Sequence, residues 1–339
     1  MAIDLDKVET ILSSMSPGVF ADGFESWGAC GDLKLKLRDH TTEKEWTCED
    51  ALAEIEMGDA YRGSLQEIIN VVNLAEHIDD LPEDDRRLAT EVANSFNNGN
   101  RVGDFSTLTV HYYSKHGITG RKYARGASSQ KLSRRVRALA FHPDVNSSPE
   151  GGIVYLDIDI NKCFPQLLWN ELVLIKGGMV QVDFLILFAM VHAYKDWRTF
   201  LANYFNIDMG VAKKMLAALC HLAEPADDVP FLWALAIEMQ EAVALLLDTQ
   251  KNRHLLERFG ERRSPSATRF HYALSAIEDN VITELEAELT RVGLGGCVMT
   301  YMFVGCVVRV KAEHLDTVID AVEKVELKNS VAFTVKDFA

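Results

Sequence analysis

Apolar positions along this chain change period from segment to segment, and each period predicts a different element. Over Asp50–Ala60 and Ser64–His77 they recur at three- and four-residue spacing (Leu65, Ile68, Ile69, Val72), which predicts helices with one buried face. Asp79–Arg87, with Pro82, reads as a loop or a helix start, and Asn97-Asn98-Gly99-Asn100 ends the segment with turn chemistry. Thr107–Tyr113 (TLTVHYY) is β-branched and aromatic and predicts a strand. After a loop over Pro143–Gly152 comes Ile153–Ile160 (IVYLDIDI), a strand whose alternation places Asp157 and Asp159 on one face.

From Asn161 to Leu289 the helical period dominates, with helices predicted over Val182–Ala193, Val211–Leu222, Pro230–Leu247 and Ala273–Leu289. The period then shortens. Cys297–Tyr301 and Cys306–Val310 flank Met302-Phe303-Val304-Gly305 and predict a β-hairpin with its turn at Gly305. A helix over His314–Val325 and a strand over Val331–Val335 close the chain. Strands separated by helices imply an α+β fold, with a small antiparallel sheet, packed helices and a helical N-terminal region.

Composition narrows the class. The 339 residues are 48% hydrophobic, enough for one large or two ordinary domains, and 25% charged, with a mean hydropathy of -0.03 that argues against disorder. The apolar run Met179–Met190 is interrupted by Gln181 and Asp183 and is too short to cross a bilayer, so it predicts a buried helix and no membrane partner. The start MAIDLDKVETIL lacks a basic, then apolar, signal sequence. Cys30, Cys48, Cys163, Cys220, Cys297 and Cys306 form no close C-x-x-C pair, which disfavours zinc and suits reduced thiols in the cytoplasm or nucleus.

Charge is unevenly spread. The net value of -15 argues against a nucleic-acid partner. Between Arg101 and His142, however, nine Lys and Arg stand against Asp104 alone. Such a segment is either a solvated basic face or a phosphate-tracking surface. Residues 1–100 hold 8 Lys and Arg against 22 Asp and Glu, so this region suits packing over the basic segment or binding a protein partner. Arg258–Tyr272 interleaves arginines, among them Arg262 and Arg269, with aromatics; that suits phosphate contact with base stacking, or a surface loop entering a helix.

Two carboxylates on one strand face are a device for holding Mg²⁺, which takes oxygen ligands and commonly one or two carboxylates. An ordinary sheet with one polar face gives the same alternation. Several further segments stand in order around this strand: Thr119-Gly120-Arg121, Ser128-Ser129-Gln130, Arg137-Ala138-Leu139-Ala140-Phe141, and Asp159-Ile160-Asn161-Lys162-Cys163. Together they resemble family A DNA polymerases, in which T-G-R, a short N-L-Q element and an arginine near a phenylalanine precede the aspartate strand, motif A. DINKCFPQLL is also similar to motif A of divergent polymerases from viruses and mobile elements. Val211–His221 falls where the family has its fingers helix, A-K-x-x-N-F-x-x-x-Y-G, and Tyr301–Val308 resembles the motif C hairpin.

The resemblance implies a polymerase-like palm over 101–170 and 273–339, a helical fingers insertion over 171–272, and an acidic helical region over 1–100. It implies template-directed nucleotidyl transfer by a DNA polymerase, as in DNA replication, with Mg²⁺ or Mn²⁺ as cofactor and primer–template DNA (or RNA) and nucleoside triphosphates as partners. Asp159 would bind metal with Asp157 beside it. Lys213 would meet the triphosphate, and His221 would stand where a tyrosine stacks near the base. Arg121, Gln130, Arg134, Arg137, Arg262 and Arg269 would contact nucleic acid. The chain departs from the pattern at Met209 (arginine), Leu216 (asparagine) and Leu222 (glycine), and above all at Val304, where related hairpins carry an aspartate in F-D-G. Valine binds no metal, and loss of a shared ligand costs orders of magnitude in rate, because electrostatic stabilisation dominates phosphoryl transfer. The sequence therefore leaves impaired nucleotidyl transfer beside an inactive relative that binds nucleic acid or serves as a scaffold. A third alternative is an acidic helical interaction protein with a fortuitous motif A.

Overall fold

The computed structural model describes residues 60–115, 120–142, 152–177, 180–225, 229–259 and 265–338. The helix expected over Asp50–Ala60, the Pro143–Gly152 loop, Cys30, Cys48, Thr119 and Arg262 lie wholly or almost wholly outside these residues. The protein is α+β, with small antiparallel sheets and packed helices, and it divides into two units: 1–44 with 178–242, and 45–177 with 243–339.

The larger unit begins with β1 (Ala60–Asn70), α1 (Val71–His77), α2 (Glu83–Asn97), β2 (Asn100–Val102), β3 (Phe105–Ser114) and β4 (Tyr123–Arg125). These strands form the first sheet. β1 pairs antiparallel along β3, while β2 and β4 pair with opposite ends of β3. β1 corrects the expected Ser64–His77 helix, of which only Val71–His77 is helical. Its inward positions are Leu65, Glu67 and Ile69, so a buried acid disguises what is a period-2 pattern. α2 opens with Glu83, Asp84 and Asp85, which favour a helix N-terminus, and buries a stripe of Ala89, Val92, Ala93 and Phe96.

The chain continues through α3 (Arg134–Ala140), β5 (Ile153–Ile160) and α4 (Cys163–Lys176). The helical unit follows with α5 (Val180–Asp183), α6 (Leu185–His192), α7 (Tyr194–Tyr204), α8 (Met209–Cys220) and the first part of α9 (Pro230–Asp248). Its core gathers Trp197, Phe200 and Tyr204 of α7 around Phe231 of α9, with ring centroids 6.1, 5.3 and 5.6 Å away. The Glu238 carboxylate caps α6 by accepting from the Ile186 and Leu187 amides at 3.1 and 2.7 Å. Among the described residues α9 is the single helix long and apolar enough to cross a membrane, and half of its apolar window is buried within the protein, as in a core helix.

Back in the larger unit come α10 (Arg253–Phe259), α11 (Pro265–Arg291), β6 (Val298–Tyr301), β7 (Gly305–Lys311), α12 (Leu315–Asn329) and β8 (Phe333–Asp337). The second sheet runs β6-β7-β5-β8, antiparallel throughout, so the aspartate strand is internal. One of its faces packs on α1–α3, where Phe141 stacks on Tyr155 at 5.2 Å and meets Phe338 at 5.4 Å. Truncating such a buried aromatic costs about 3–5 kcal/mol. The expected hairpin is present, with residues 302–304 as its turn and Gly305 already in β7. Cys163, Cys220, Cys297 and Cys306 are buried free thiols.

Candidate active site

β5 ends in a sharp strand-to-helix passage that fixes Asp159. Ile160 N donates to the Val304 carbonyl at 2.9 Å and Asn161 N to the Ala332 carbonyl at 2.7 Å, so both neighbouring strands clamp the end of β5. Lys162 turns the chain with φ 50°, and α4 begins at Cys163. Pro165 is tolerated there because a first-turn residue has no intrahelical partner for its N–H.

The hairpin turn closes onto this point. Asp159 pairs with Gly305, and a Cβ added to Gly305 would lie 1.9 Å from the Ile158 carbonyl oxygen and 2.8 Å from Asp159 Oδ1. Only glycine permits that approach. Position 304 is therefore held by its own backbone against the end of the aspartate strand.

Asp157 and Asp159 share the sheet face that also carries Lys336 and Thr334 of β8. Asp157 is 2% exposed, its Oδ1 accepts no hydrogen bond, and Arg134 Nε lies 3.9 Å from its Oδ2. Arg137 is close enough to both carboxylates to feel their charge. It donates to the Leu132 carbonyl at 2.8 Å and leaves its buried Nε without an acceptor. Burial, then the Asp157 charge, raises the Asp159 pKa, while Arg137, Lys336 and Arg134 pull it down. The unpartnered Asp157 oxygen and the adjacent Asp159 fit one hard cation. They do not fit two, because three basic side chains already face the pair, the Val304 side chain offers no oxygen and its carbonyl is taken by Ile160 N. No group of three or more His, Cys, Asp and Glu able to hold a metal occurs among the described residues.

The basic segment beside this face is held by acids. The Arg121 guanidinium donates to both Glu278 oxygens at 3.0–3.2 Å and lies over the Phe164 ring at 5.0 Å and the Phe303 ring at 5.8 Å. Burial pushes the Glu278 carboxyl up to about 7, against the pull of Arg121. Cys163 Sγ lies 3.6 Å from Glu278 Oε2, and burial followed by the Glu278 charge drives its pKa well up. Asp279 binds Arg62 at 2.5 Å and Lys122 at 3.4 Å. Glu278 and Asp279 are thus both engaged by basic side chains.

Ser128-Ser129-Gln130 is a polar joint between the sheets. The Glu67 carboxylate, fully buried, accepts from Tyr112 Oη at 2.5 Å, Ser128 Oγ at 2.7 Å, Ser129 N at 2.8 Å and Ser129 Oγ at 2.7 Å. Tyr112 also meets Thr300 Oγ1 at 2.8 Å. The Gln130 amide donates to the Lys122 and Tyr301 carbonyls and accepts from Ala124 N.

No protein-family model and no curated protein matches the sequence. Among solved structures the chain is similar to the POL domain of Pol1 from M. smegmatis in complex with DNA primer-template and dNTP. The identity is 11%, the TM-score 0.44, and the match covers 75% of this chain and 50% of that one. The chain thus spans about half the length of that structure.

The structure brings Asp157, Asp159, Arg134, Arg137 and position 304 together. Arg121 and Gln130 lie in the same unit, committed to Glu278 and to backbone groups. Arg269 lies in α11, donating to the Pro265 carbonyl at 3.3 Å and to Ser266 Oγ at 3.4 Å. Lys213 and His221 belong to the helical unit, both exposed at α8 and its C-terminal cap. Leu222, which follows, has φ 65°, a left-handed conformation, at the position where the fingers pattern has glycine. Sequence reasoning missed Lys336 and Glu67. Lys336 falls just past the strand expected over Val331–Val335, which the structure places at Phe333–Asp337.

Proposed function

We propose that this chain carries a polymerase-like nucleotidyl-transfer centre on Asp159 and Asp157, impaired because its hairpin presents Val304 in place of an acid. The observation that carries this reading is the docking of the hairpin turn on the end of the aspartate strand, through Ile160 N to the Val304 carbonyl and the close approach of Gly305. In the reaction a primer 3′-hydroxyl displaces pyrophosphate from a nucleoside triphosphate. Asp159 and Asp157 would hold one Mg²⁺ or Mn²⁺, which when bound supplies positive charge for the reacting phosphate. Arg134 and Arg137 moderate the negative charge of the pair. Lys213 offers a point charge for the triphosphate and His221 a ring for the base. Arg121 and Gln130 serve by holding the basic segment in place, and the arginines Arg134, Arg137, Arg262 and Arg269 serve primer–template phosphates. We assign the palm to 101–170 and 273–339, with residues 60–100 joined to it through β1 and α2, the fingers to 171–272, and the acidic residues 1–59 to a protein partner.

Three basic side chains facing two carboxylates favour a second reading: a nucleic-acid-binding or scaffolding relative without activity. Primer extension with Mg²⁺ and Mn²⁺, comparing wild type with Val304→Asp and Asp159→Asn, separates the two. The first reading expects slow extension by wild type, abolished in Asp159→Asn and raised about a hundredfold or more in Val304→Asp. Absence of extension in all three leaves the second reading.

A further inference from the structure

The first sheet presents a face that the site above does not use. Along β3, Val110, Tyr112 and Ser114 are buried, while Thr109, His111, Tyr113 and Lys115 project to the opposite side. Cross-strand neighbours share that outer side: Tyr61 and Tyr123 are both opposite Tyr113, and Arg125 is opposite His111. Tyr61 is 57% exposed, and its ring lies 5.5 Å from Tyr113 and 6.0 Å from His111. The Arg125 guanidinium sits 4.1 Å above the Tyr113 ring, and Lys115 Nζ sits 4.6 Å above Tyr123. Tyr123 in turn reaches Phe303 at 5.9 Å, a ring 47% exposed on the turn that carries Val304. A line of aromatics therefore runs from the sheet edge to the hairpin beside Asp159.

The strands of this sheet are poor in acids. The chain has a net charge of -15, yet the single acid in β1–β4 is Glu67, which is turned inward and fully buried. Cross-strand aromatic pairs by themselves stabilise a sheet. One exposed and two half-buried rings interleaved with cations, on strands whose single acid is turned inward, match a different demand, that of a polyanion with accessible flat bases. A duplex hides the faces of its bases in its own stack, whereas a single strand offers them.

We propose that the outer face of the first sheet is a stacking platform for single-stranded nucleic acid, with Tyr61, Tyr113 and Tyr123 receiving bases and Lys115 receiving phosphate. The platform needs neither metal nor catalysis at Asp159, so it stands or falls apart from the nucleotidyl-transfer reading.

The test is fluorescence anisotropy of the full chain with a labelled single strand of about 16 nucleotides, in EDTA and over a salt series, against a duplex of equal length. The single strand should bind more tightly than the duplex. Tyr61→Ala should weaken single-strand binding roughly tenfold. Tyr61→Phe, which keeps the ring, should bind as wild type does. Lys115→Ala should lower the slope of log affinity against log salt by about 0.7. Leu327→Ala, at a residue 83% exposed on α12, should change nothing. Wild-type affinity in both Tyr61→Ala and Tyr113→Ala, or equal binding of the duplex, overturns the platform. Primer extension by a Tyr61→Ala variant with undiminished single-strand affinity would sink the platform and keep the nucleotidyl-transfer reading. Tyr61-dependent binding without extension by any variant would do the reverse.

Discussion

Glu67 offers the sharpest test of how the two sheets are joined. Its carboxylate is fully buried and takes four hydrogen bonds, from three hydroxyls and the Ser129 amide. Substitution by glutamine need not break the joint. The new carbonyl can keep Ser129 N while the new amide faces Ser128 and Tyr112, whose hydroxyls can turn to accept. Tyr112 then donates to Thr300 Oγ1, already 2.8 Å away. What is lost is the charge assistance, so Glu67→Gln should cost about 1–2 kcal/mol. Glu67→Leu removes every acceptor and strands a buried amide, whose orphaning alone costs about 1–3 kcal/mol, with the hydroxyls adding more. The expected loss is about 4 kcal/mol or greater. Urea denaturation at constant slope reads both values as shifts of midpoint. Equal losses in the two variants would refute the account, because they would make the carboxylate a space-filler.

Three other outcomes are expected. Gly305→Ala must push β7 off β5, since its Cβ would lie 1.9 Å from the Ile158 oxygen, and should cost about 3 kcal/mol or more by urea denaturation; a loss under 1 kcal/mol would show the strands to be looser than described. Leu222→Gly relieves a left-handed residue and should gain roughly 0.5–1 kcal/mol, whereas Leu222→Ala, which keeps the Cβ, should not; equal gains would rule out backbone strain. Glu278 is raised by burial from an ordinary 4.5 to about 7, so the folded chain binds a proton that the unfolded chain releases. The stability this lends is complete below pH 4.5 and is lost as pH rises through 7. The stability of wild type relative to Glu278→Gln should thus fall by about 3 kcal/mol over that interval, while the unpaired Arg121 lowers the variant by a constant amount; a difference independent of pH would contradict it.

The sequence was most readable where burial follows a simple period. IVYLDIDI became β5 at its expected bounds, because alternation and β-branching agree there. The hairpin and the long α11 were legible for the same reason, although α11 starts at Pro265, a first-turn residue that looked like loop. β1 was misread as helix because the joint places an acid at a core position, and its partners Tyr112, Ser128 and Ser129 are remote in sequence. For the site, Asp157 and Asp159 on one face followed from strand geometry. The basic residues around them did not, since that proximity depends on how α3 and β8 lie against β5. The run of basic residues from Arg101 to His142 reads as one patch, yet the fold divides it. Arg121 and Lys122 turn to α11, Arg134 and Arg137 to the aspartates, and Lys115 and Arg125 to the outer sheet face.

The backbone clamp at the hairpin also bears on heredity. Ile160 and Gly305 fix the place of residue 304 through main-chain contacts that no side chain at that position supplies. A change of side chain at 304 therefore leaves these main-chain contacts in place. The valine codons GUU and GUC each differ from an aspartate codon by a single middle base. GUA and GUG become glutamate codons by the same change, so an acid at 304 lies one mutational step away whichever valine codon the gene uses.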